Sequence, residues 1–240
     1  MTADLSGRLA LVTGSTRGIG RAVALGLAAA GAEVIAVGRT VGALEDLDDD
    51  IKALGGSATL VPLDVQDGDG IDRLGLSIYE RWGKLDIAIL NAAMLGQLTP
   101  IHQYEPAIWA EVMAVNVNAN QRLIRSLDPL LRISPHGRMV IVSSSTAYGL
   151  RSYWGAYAAS KAAVEAMARS YAGETGHTNI RVNIVDPGPT RTAMRAAAFP
   201  GEDPETVKPA EAVVPLFLDL CSDFESRHGD VIKVETAHAV

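Results

Sequence analysis

The chain has 240 residues, a formal net charge of −7 and a hydrophobic fraction of 48%, which predict one acidic α/β domain with a single core. The acidic balance argues against nucleic acid or an anionic membrane as a partner, because both need a basic face. The single cysteine, Cys221, excludes an internal disulfide and a multi-cysteine metal site, and it favours a cytoplasmic protein. No metal site, signal peptide or transmembrane span is expected.

Short apolar runs alternate with longer segments of helical period along the chain. This alternation is typical of βαβ units and a parallel sheet. The runs are apolar on both faces, as expected for strands that helices cover on each side. The sequence therefore predicts a Rossmann-type, doubly wound parallel sheet of about seven strands flanked by helices on both faces. The predicted strands are residues 9–12, 33–37, 58–63, 85–90, 138–143, 180–185 and 230–234.

A glycine-rich turn follows the first predicted strand and opens an alanine-rich helix over residues 18–30. Glycine lets the backbone approach a pyrophosphate, while the helix N-terminus offers free N–H groups and the positive end of its dipole. Such binding requires a strand–turn–helix context, which the sequence has here; a tight turn without a ligand is the alternative. The candidate cofactor-binding residues of the turn are Gly14, Ser15, Thr16, Arg17, Gly18, Ile19 and Gly20.

The end of the second strand indicates which dinucleotide the turn would bind. An acidic residue at this place would hold the ribose 2′-hydroxyl, but the sequence has Arg39 and Thr40 there. Arg39, together with Arg17, can pair with a 2′-phosphate. This favours NADP(H) over NAD(H), and the alternative is that Arg39 is an ordinary loop arginine. Thr40 is also a candidate N-cap for the next helix, which should end before Gly55.

Three serines close the strand at residues 138–143 and lead to a helix that opens at Tyr157. Residues four apart share a helix face, so Lys161 should lie beside Tyr157. A neighbouring ammonium favours the ionised phenol, which predicts a lowered tyrosine pKa and proton transfer near neutral pH. The alternative is that both side chains lie at a surface with no chemical role.

Together, the glycine turn and the Ser-(12 residues)-Tyr-(3 residues)-Lys spacing resemble the short-chain dehydrogenase/reductase family. The lid and tail resemble a bacterial branch of it. Counting back from Tyr157 makes Ser144 the serine that the resemblance assigns to substrate orientation, with Ser143 and Ser145 as fallback choices. The resemblance implies that Tyr157 is the acid/base and that Lys161 lowers its pKa and binds the nicotinamide ribose.

Asn116 is the fourth catalytic residue by the same resemblance, because its side chain would hold a water near the lysine and relay protons. Asparagine is a poor residue for a helix interior, so a functional reason for it is plausible. Asn118 is the nearby alternative.

Further cofactor contacts follow from the resemblance. Asp64 would bind the adenine amine and Val65 would pack on the ring, and a capping aspartate at Asp67 is the modest alternative. Met94 and Leu95 are expected to protrude into the cleft, and a Pro-Gly turn would pass beneath the nicotinamide. The cofactor-binding residues implied outside the glycine turn and Arg39-Thr40 are Asp64, Val65, Asn91, Ala92, Ala93, Tyr157, Lys161, Pro187, Gly188, Thr190 and Thr192.

Residues 190–208 are predicted to form a short substrate lid beside an open cleft that tolerates bulky carbonyl compounds. Arg191 and Arg195 could bind an acidic substrate or the cofactor phosphates, and the sequence favours neither. The preceding loop is expected to supply an apolar and aromatic wall from Tyr148, Leu150, Tyr153 and Trp154.

The resemblance implies an NADP(H)-dependent oxidoreductase, such as a carbonyl reductase, acting on a ketone, aldehyde or secondary alcohol. One alternative is a 3-oxoacyl (acyl-carrier-protein) reductase, against which the overall acidity weighs mildly. Another is a non-catalytic NADPH-binding sensor or scaffold. The expected partners are a small carbonyl or alcohol substrate and further copies of the chain, as a homodimer or homotetramer. Dimer contacts are expected around residues 109–131 and 157–171, whereas the tail leaves a tetramer in doubt.

Overall fold

The structure, a computed structural model, describes residues 3–234 of the chain, in which strands and helices alternate. The strands are β1 (Leu9–Thr13), β2 (Glu33–Gly38), β3 (Ala58–Pro62), β4 (Ile87–Leu90), β5 (Arg138–Val142), β6 (Arg181–Asp186) and β7 (Val231–Lys233). The α-helices are α1 (Gly18–Ala29), α2 (Val41–Ala53), α3 (Gly68–Trp82), α4 (Pro106–Met113), α5 (Ala119–Ile133), α6 (Gly155–Thr175), α7 (Ala193–Ala198) and α8 (Val214–Leu220).

All seven strands join one parallel sheet in the order β3-β2-β1-β4-β5-β6-β7. The chain builds outward from β1 to β3 and then restarts at β4 on the other side of β1. Ligands of open α/β sheets bind at such a switch point, outside the carboxyl ends of the strands. The predicted Rossmann-type sheet is therefore confirmed.

Residues of β1 illustrate why the strands are apolar throughout. Leu9 and Leu11 pack into the hydrophobic cluster on one face of the sheet, whereas Ala10 and Val12 pack into the cluster on the other face. Successive side chains of a strand point to opposite faces, so helices on both sides demand apolar residues at every position.

Several boundaries differ from the predicted ones. Helix α6 begins at Gly155, two residues before Tyr157. The predicted lid, residues 190–208, contains α7 and a 3-10 turn at Pro204–Thr206. Thr40 does occupy the N-cap position of α2, but its side chain makes no capping hydrogen bond.

Helix α3 has a capping residue at each end. The Asp67 carboxylate accepts a hydrogen bond from the Gly70 backbone N–H at 2.9 Å, which satisfies one of the free donors of the first turn. Gly83 ends the helix in the left-handed conformation with φ of 73°. The capping role that the sequence allowed for Asp67 is therefore present.

Asp86 ties the elements together at the amino edge of the sheet, opposite the switch point. Its buried carboxylate accepts from the Leu9 N–H at 2.9 Å, the Ser134 hydroxyl at 2.6 Å and the Lys84 ammonium at 2.9 Å. Burial alone would raise the pKa of Asp86, but these donors hold it below its ordinary value. One carboxylate thus joins β1, the end of α5 and the start of β4.

The amino edge also holds a cavity with a volume of about 330 Å³ and a lining that includes Arg8, Glu33 and Lys84. None of the predicted site residues lines it. Within residues 3–234, no helix is both long and apolar enough to cross a bilayer. The same part of the chain has no cluster of three or more His, Cys, Asp or Glu side chains arranged to hold a metal ion.

Candidate active site

The glycine turn links β1 to α1 at the switch point. Gly18 has φ of 55°, in the region that glycine adopts without strain, and a Cβ atom at Gly20 would lie 2.2 Å from the Gly14 carbonyl oxygen. Helix α1 has no side-chain N-cap bond and no acidic residue in its first turn. Its N-terminal amides and positive dipole end are therefore suited to an anion such as a pyrophosphate.

Ser15 and Thr16 connect the glycine turn to β2. The Ser15 amide and hydroxyl both donate to the Val37 carbonyl oxygen, each at 3.1 Å, and Ser15 is fully buried. The Thr16 methyl lies against the backbone of Gly38. Both side chains fix the turn to β2, so the Ser15 hydroxyl in particular holds the fold together instead of facing a ligand.

Thr13 is a positioning residue that the sequence analysis did not single out. Its hydroxyl oxygen accepts from the backbone N–H groups of Asn91 and Ala92, both at 3.0 Å. The Asn91 side-chain amide in turn donates to the carbonyl oxygens of Thr13 and Gly14. These bonds join the glycine turn to the end of β4, and the Thr at the carboxyl end of an apolar strand was the signal for them.

Arg39 has a neighbour that the sequence analysis did not expect. The guanidinium lies 3.7 Å from the Asp64 carboxylate, which comes from the end of the adjacent strand β3. An acid does therefore compete for Arg39, although none follows β2 in the sequence, because neighbouring parallel strands end at the same edge. Both side chains are largely exposed, so this ion pair is weak and Arg39 can exchange it for a phosphate.

Tyr157 and Ser144 meet in the second part of the site. Burial raises the pKa of Tyr157 to about 12, while the adjacent Ser144 hydroxyl acts in the opposite direction and the Asp186 carboxylate raises it further. The prediction that the neighbouring lysine makes the phenol acidic is wrong for this structure. Tyr157 is a protonated donor across the physiological pH range.

Lys161 explains this difference. Its ammonium donates to the Val142 carbonyl oxygen at 2.7 Å and lies 5.6 Å from the centre of the Tyr157 ring. Burial lowers the pKa of Lys161 to about 8, which the nearby Glu165 carboxylate partly opposes. The lysine is beside the tyrosine as the helical spacing predicts, but its ammonium donates to the carbonyl oxygen at the end of β5.

The three serines have different surroundings. Ser143 is buried and donates to Glu165 at 2.6 Å, so its hydroxyl is used inside the core. Ser144 N-caps a 3-10 turn at Ser145–Ala147, and its oxygen accepts from the Thr146 amide at 3.3 Å and hydroxyl at 3.1 Å. Ser144, the serine preferred from spacing, is the one that interacts with Tyr157.

Asn116 lies in a π-helical stretch, Ala114–Asn118, between α4 and α5. Its side-chain oxygen accepts from the Met94 N–H at 2.8 Å, and its amide donates to the Met94 carbonyl and to the Ser160 hydroxyl, both at 2.9 Å. Both amide hydrogens are thus engaged within the protein. A proton relay through this side chain would have to use the second lone pair of its oxygen.

Met94 and Leu95 separate in the structure. Met94 packs against the small cluster of Val65, Val115 and Ala119, so the expectation that it protrudes into the cleft is wrong. Leu95 does line the cleft. Val65 is buried in that same cluster, which leaves little of its side chain for an adenine ring.

The Pro-Gly turn follows β6 and faces the glycine turn. Gly188 has φ of 62°, and the buried Thr190 hydroxyl donates back to the Pro187 and Gly188 carbonyl oxygens at 3.3 and 3.1 Å. Thr192 N-caps α7 and its methyl group approaches Gly18. The structure thereby brings two sequence-distant cofactor candidates together at the start of α1.

A cleft of about 120 Å³ lies between these turns. The lid contacts one wall of the cleft, because Phe199 packs against Trp154 at 5.7 Å and Trp154 packs against Tyr157 at 5.8 Å between ring centres. The cleft is lined by Ile19, Leu95, Ser143, Ser144, Ser145, Thr146, Arg151, Trp154, Tyr157, Asp186, Pro187, Gly188, Pro189, Thr190, Thr192, Met194, Arg195 and Ala198.

Of the predicted aromatic wall, Trp154 lines this cleft. Leu150 is fully exposed, and Tyr148 and Tyr153 are more than half exposed. The two lid arginines are paired within the lid, Arg195 with Glu202 at 2.5 and 2.7 Å and Arg191 with Glu205 at 2.7 Å. Both guanidinium groups are therefore engaged within the lid.

Comparison with known proteins gives a consistent result. A family model described as short chain dehydrogenase matches residues 8–203. The chain is 40% identical over 226 residues to YciK, an uncharacterized oxidoreductase of Escherichia coli (strain K12), covering 93% of this chain and 89% of that protein. The chain belongs to the short-chain dehydrogenase family.

Solved structures of such dehydrogenases superpose closely. A short-chain dehydrogenase of Shigella flexneri 2a in complex with NADP has a TM-score of 0.93 and 38% identity, covering 97% of this chain and 99% of that one. One from Escherichia coli CFT073 in complex with NADPH has a TM-score of 0.92 and 39% identity, covering 96% and 98%. These likenesses extend over nearly the whole chain.

As a member of the short-chain dehydrogenase family, the chain gathers most of its predicted site residues at the carboxyl edge of the sheet. Tyr157, Ser144 and Thr192 share the cleft, whereas Ser15 and Asn116 support it from behind. Asp186, which the sequence analysis passed over, lines the cleft with a buried carboxylate. An acidic residue directly before the Pro-Gly turn was its signal.

Proposed function

We propose that this dehydrogenase is an NADP(H)-dependent oxidoreductase that interconverts a ketone or aldehyde and a secondary or primary alcohol. The observation that carries the proposal is the placement of the Tyr157 and Ser144 hydroxyls in one cleft with the Pro187-Gly188 turn. The family relationship supports redox chemistry.

The nucleotide assignment is supported by residues at the switch point. The uncapped start of α1 and the close packing at Gly20 fit a pyrophosphate. Arg39 and Arg17 are exposed at the same edge and can bind a 2′-phosphate. Relatives with 38–39% identity have been crystallised with NADP or NADPH. NAD(H) is the less favoured nucleotide because no acid belongs to the end of β2 itself.

The bound nucleotide supplies or accepts the hydride, and the protein residues manage the proton and the substrate orientation. Tyr157 donates its phenolic proton to the substrate oxygen during reduction and takes it back during oxidation. Ser144 donates a hydrogen bond to the same oxygen. Lys161 stands next to the phenol, and because burial lowers its pKa to about 8 its ammonium can give up a proton, which suits a group that returns a proton to the tyrosine.

The two alternative functions make different demands on the site. A 3-oxoacyl (acyl-carrier-protein) reductase would need a basic surface beside the cleft, but both lid arginines are paired with glutamates. A non-catalytic NADPH-binding sensor would have no use for a buried Tyr157 beside Ser144. We therefore favour a carbonyl reductase.

Tyr157→Phe tests the proposed function. The phenol supplies the transferred proton, so its loss should lower kcat for carbonyl reduction by about 10³-fold or more, since general acid catalysis contributes about 10²–10⁴-fold. NADPH consumption against a panel of carbonyl compounds first identifies a substrate of the wild-type protein. The variant is then compared on that substrate.

The variant should bind NADPH with nearly unchanged affinity, measured by fluorescence titration, because the hydroxyl is not part of the nucleotide turn. Retained reductase activity would remove Tyr157 as the acid. A wild-type protein that binds NADPH and reduces no member of the panel would favour the sensor.

We also propose that the whole chain acts as one cytoplasmic domain and assembles as a homodimer or homotetramer. The surfaces of α4–α5 and α6 are the proposed dimer contacts, as the sequence predicts for residues 109–131 and 157–171. Light scattering during gel filtration would measure the mass of the assembly.

A further inference from the structure

Asp186 carries an unexpected contact in the cleft. The Tyr148 hydroxyl donates a hydrogen bond of 2.5 Å to one carboxylate oxygen of Asp186, and the Gly188 backbone N–H donates to the other at 3.0 Å. Asp186 is 3% exposed, so its charge is held out of water by these two neutral donors. A buried carboxylate needs such donors, and hydrogen bonds to a charged group are the stronger ones.

The Tyr148–Asp186 bond joins the loop after β5 to the last residue of β6, beyond the point where these two strands pair with each other. Strands β5 and β6 end their ladder where the Ser143 N–H donates to the Val185 carbonyl at 2.8 Å. Beyond it one strand continues into the Ser144 turn and the other into the Pro-Gly turn. Within residues 3–234, the Tyr148–Asp186 bond is the sole hydrogen bond between residues 144–156 and residues 186–192.

Each end of the bond belongs to a part of the proposed site. Tyr148 directly follows the 3-10 turn that Ser144 caps, and its backbone N–H donates to the Ser145 carbonyl at 3.4 Å. Asp186 is the last residue of β6 and binds the amide of Gly188, whose φ is positive. A shift at either end therefore changes the distance between the Ser144 hydroxyl and the Pro-Gly turn.

Two charged groups lie around the pair. The Lys233 ammonium is 4.6 Å from the centre of the Tyr148 ring, and the Lys208 ammonium lies under Gly188. Burial and the adjacent Asp186 carboxylate raise the pKa of Tyr148, so the phenol stays a hydrogen-bond donor. Ionised Tyr148 would set two negative charges side by side.

We propose that Tyr148 and Asp186 form a positioning pair, in which their hydrogen bond fixes the Ser144 turn relative to the Pro187-Gly188 turn on which the nucleotide and substrate meet. The pair rests on the proposed function for its effect on turnover. It touches neither reacting atom, so its contribution is the geometry of the groups that do. A misplacement of about 1 Å can cost on the order of 10²-fold in rate.

Tyr148→Phe tests the pair, because it removes the hydroxyl and keeps the ring over Lys233. The measurements are hydrogen–deuterium exchange of the full chain, with and without NADPH, and steady-state reduction of the carbonyl substrate. We expect faster exchange in residues 144–152 and in residues 186–192 together. We also expect kcat to fall by roughly tenfold or more with little change in the substrate KM.

Tyr153→Phe is the matched control. Tyr153 lies in the same loop and is 59% exposed, and it is held through its backbone carbonyl, which accepts from the Thr99 N–H at 3.0 Å. Loss of its hydroxyl should change neither exchange nor kcat. In a Tyr148→Phe/Asp186→Ala double variant, kcat should be no lower than in Asp186→Ala alone, because both changes remove the same bond.

The outcomes separate this proposal from the proposed function. Unchanged exchange in either loop of Tyr148→Phe overturns the pair, whether or not the wild-type protein reduces carbonyl compounds. Faster exchange in both loops with wild-type kcat also overturns it, since the bond would then not position the site. Loss of turnover in Tyr157→Phe, without any change in hydrogen–deuterium exchange, would be explained by the loss of the proposed acid alone.

Discussion

Among single residues, Lys161 is the most constrained group of the site. It is 3% exposed, its proton is held by the Val142 carbonyl, and burial lowers its pKa to about 8. A phenol and an ammonium placed four residues apart on a helix are neighbours by necessity, but neighbourhood alone does not set their charge. Desolvation dominates here, and it favours the neutral forms of both Tyr157 and Lys161.

Arg39→Ala should weaken NADPH binding by roughly tenfold or more, because a charge-assisted contact to the 2′-phosphate is worth about 1.5–3 kcal/mol. NADH lacks that phosphate, so its affinity should change little and serves as the internal control. Fluorescence titration with both nucleotides gives the ratio. Equal weakening of NADPH and NADH would count against the 2′-phosphate contact.

The serine pair offers a second comparison. Ser144→Ala should lower kcat by about 10²-fold, as loss of one donor to a reacting oxygen typically does. Ser143→Ala should leave kcat near the wild-type value but lower the free energy of unfolding by about 1–3 kcal/mol, because Glu165 loses a buried donor. Steady-state kinetics and urea denaturation of both variants show which serine acts on the substrate. A catalytic defect confined to Ser143→Ala would assign that role to Ser143 instead of Ser144.

Spacing in the sequence could locate the residues of the site, and it selected Ser144 among three neighbours. It could not assign their hydrogen bonds. The Arg39–Asp64 contact, the engagement of Asn116 by Met94 and the Tyr148–Asp186 bond all join residues at least 22 positions apart. Such bonds depend on which strand ends meet, and that is a property of the folded sheet.

At the scale of elements, the strands were predictable because a two-sided sheet requires continuous apolar runs of short length. Helix α7 and the π-helical stretch at Ala114–Asn118 were not. The lid helix is short and stabilised by ion pairs with residues further along the chain, such as Arg195 with Glu202. The π-helical stretch coincides with the bonds of Asn116 to Met94, which local propensity does not encode.

The N-cap of α3 gives a test at this scale. Asp67→Ala removes the 2.9 Å bond to the Gly70 N–H and should lower the free energy of unfolding by about 1 kcal/mol. Urea denaturation measures the change. Thr40→Ala at the N-cap of α2 is the control, because that side chain makes no capping bond and its loss should have the smaller effect.

For the whole molecule, the buried lysine couples the site to stability. The folded pKa of Lys161, about 8, lies below its ordinary value of 10.5, so the unfolded chain binds more protons between these values and stability rises with pH there. The buried Cys221 thiol, whose pKa burial raises to about 12 from 9, acts in the opposite direction above pH 9. The increase in the free energy of unfolding with pH should therefore be clearest between about pH 8 and pH 9.

The free energy of unfolding should increase by at most about 1.4 kcal/mol over that pH unit, and Lys161→Met should show no such increase. Urea denaturation at closely spaced pH values measures both proteins. The comparison cancels the contribution of Cys221, which both share. A flat profile for the wild-type protein would mean that Lys161 is not deprotonated in the folded state near pH 8.

The carboxylate of Asp86 stands at the end of the sheet opposite the cleft, where it joins β1, β4 and the end of α5. The Asp86 anchor and the proposed active site thus lie at opposite ends of the strands. Substitutions that fill the cavity beside Arg8 and Lys84 could therefore raise stability at the amino edge without changing substrate preference. Natural sequence variation can likewise change substrate preference at the carboxyl end of the sheet while the amino end maintains stability.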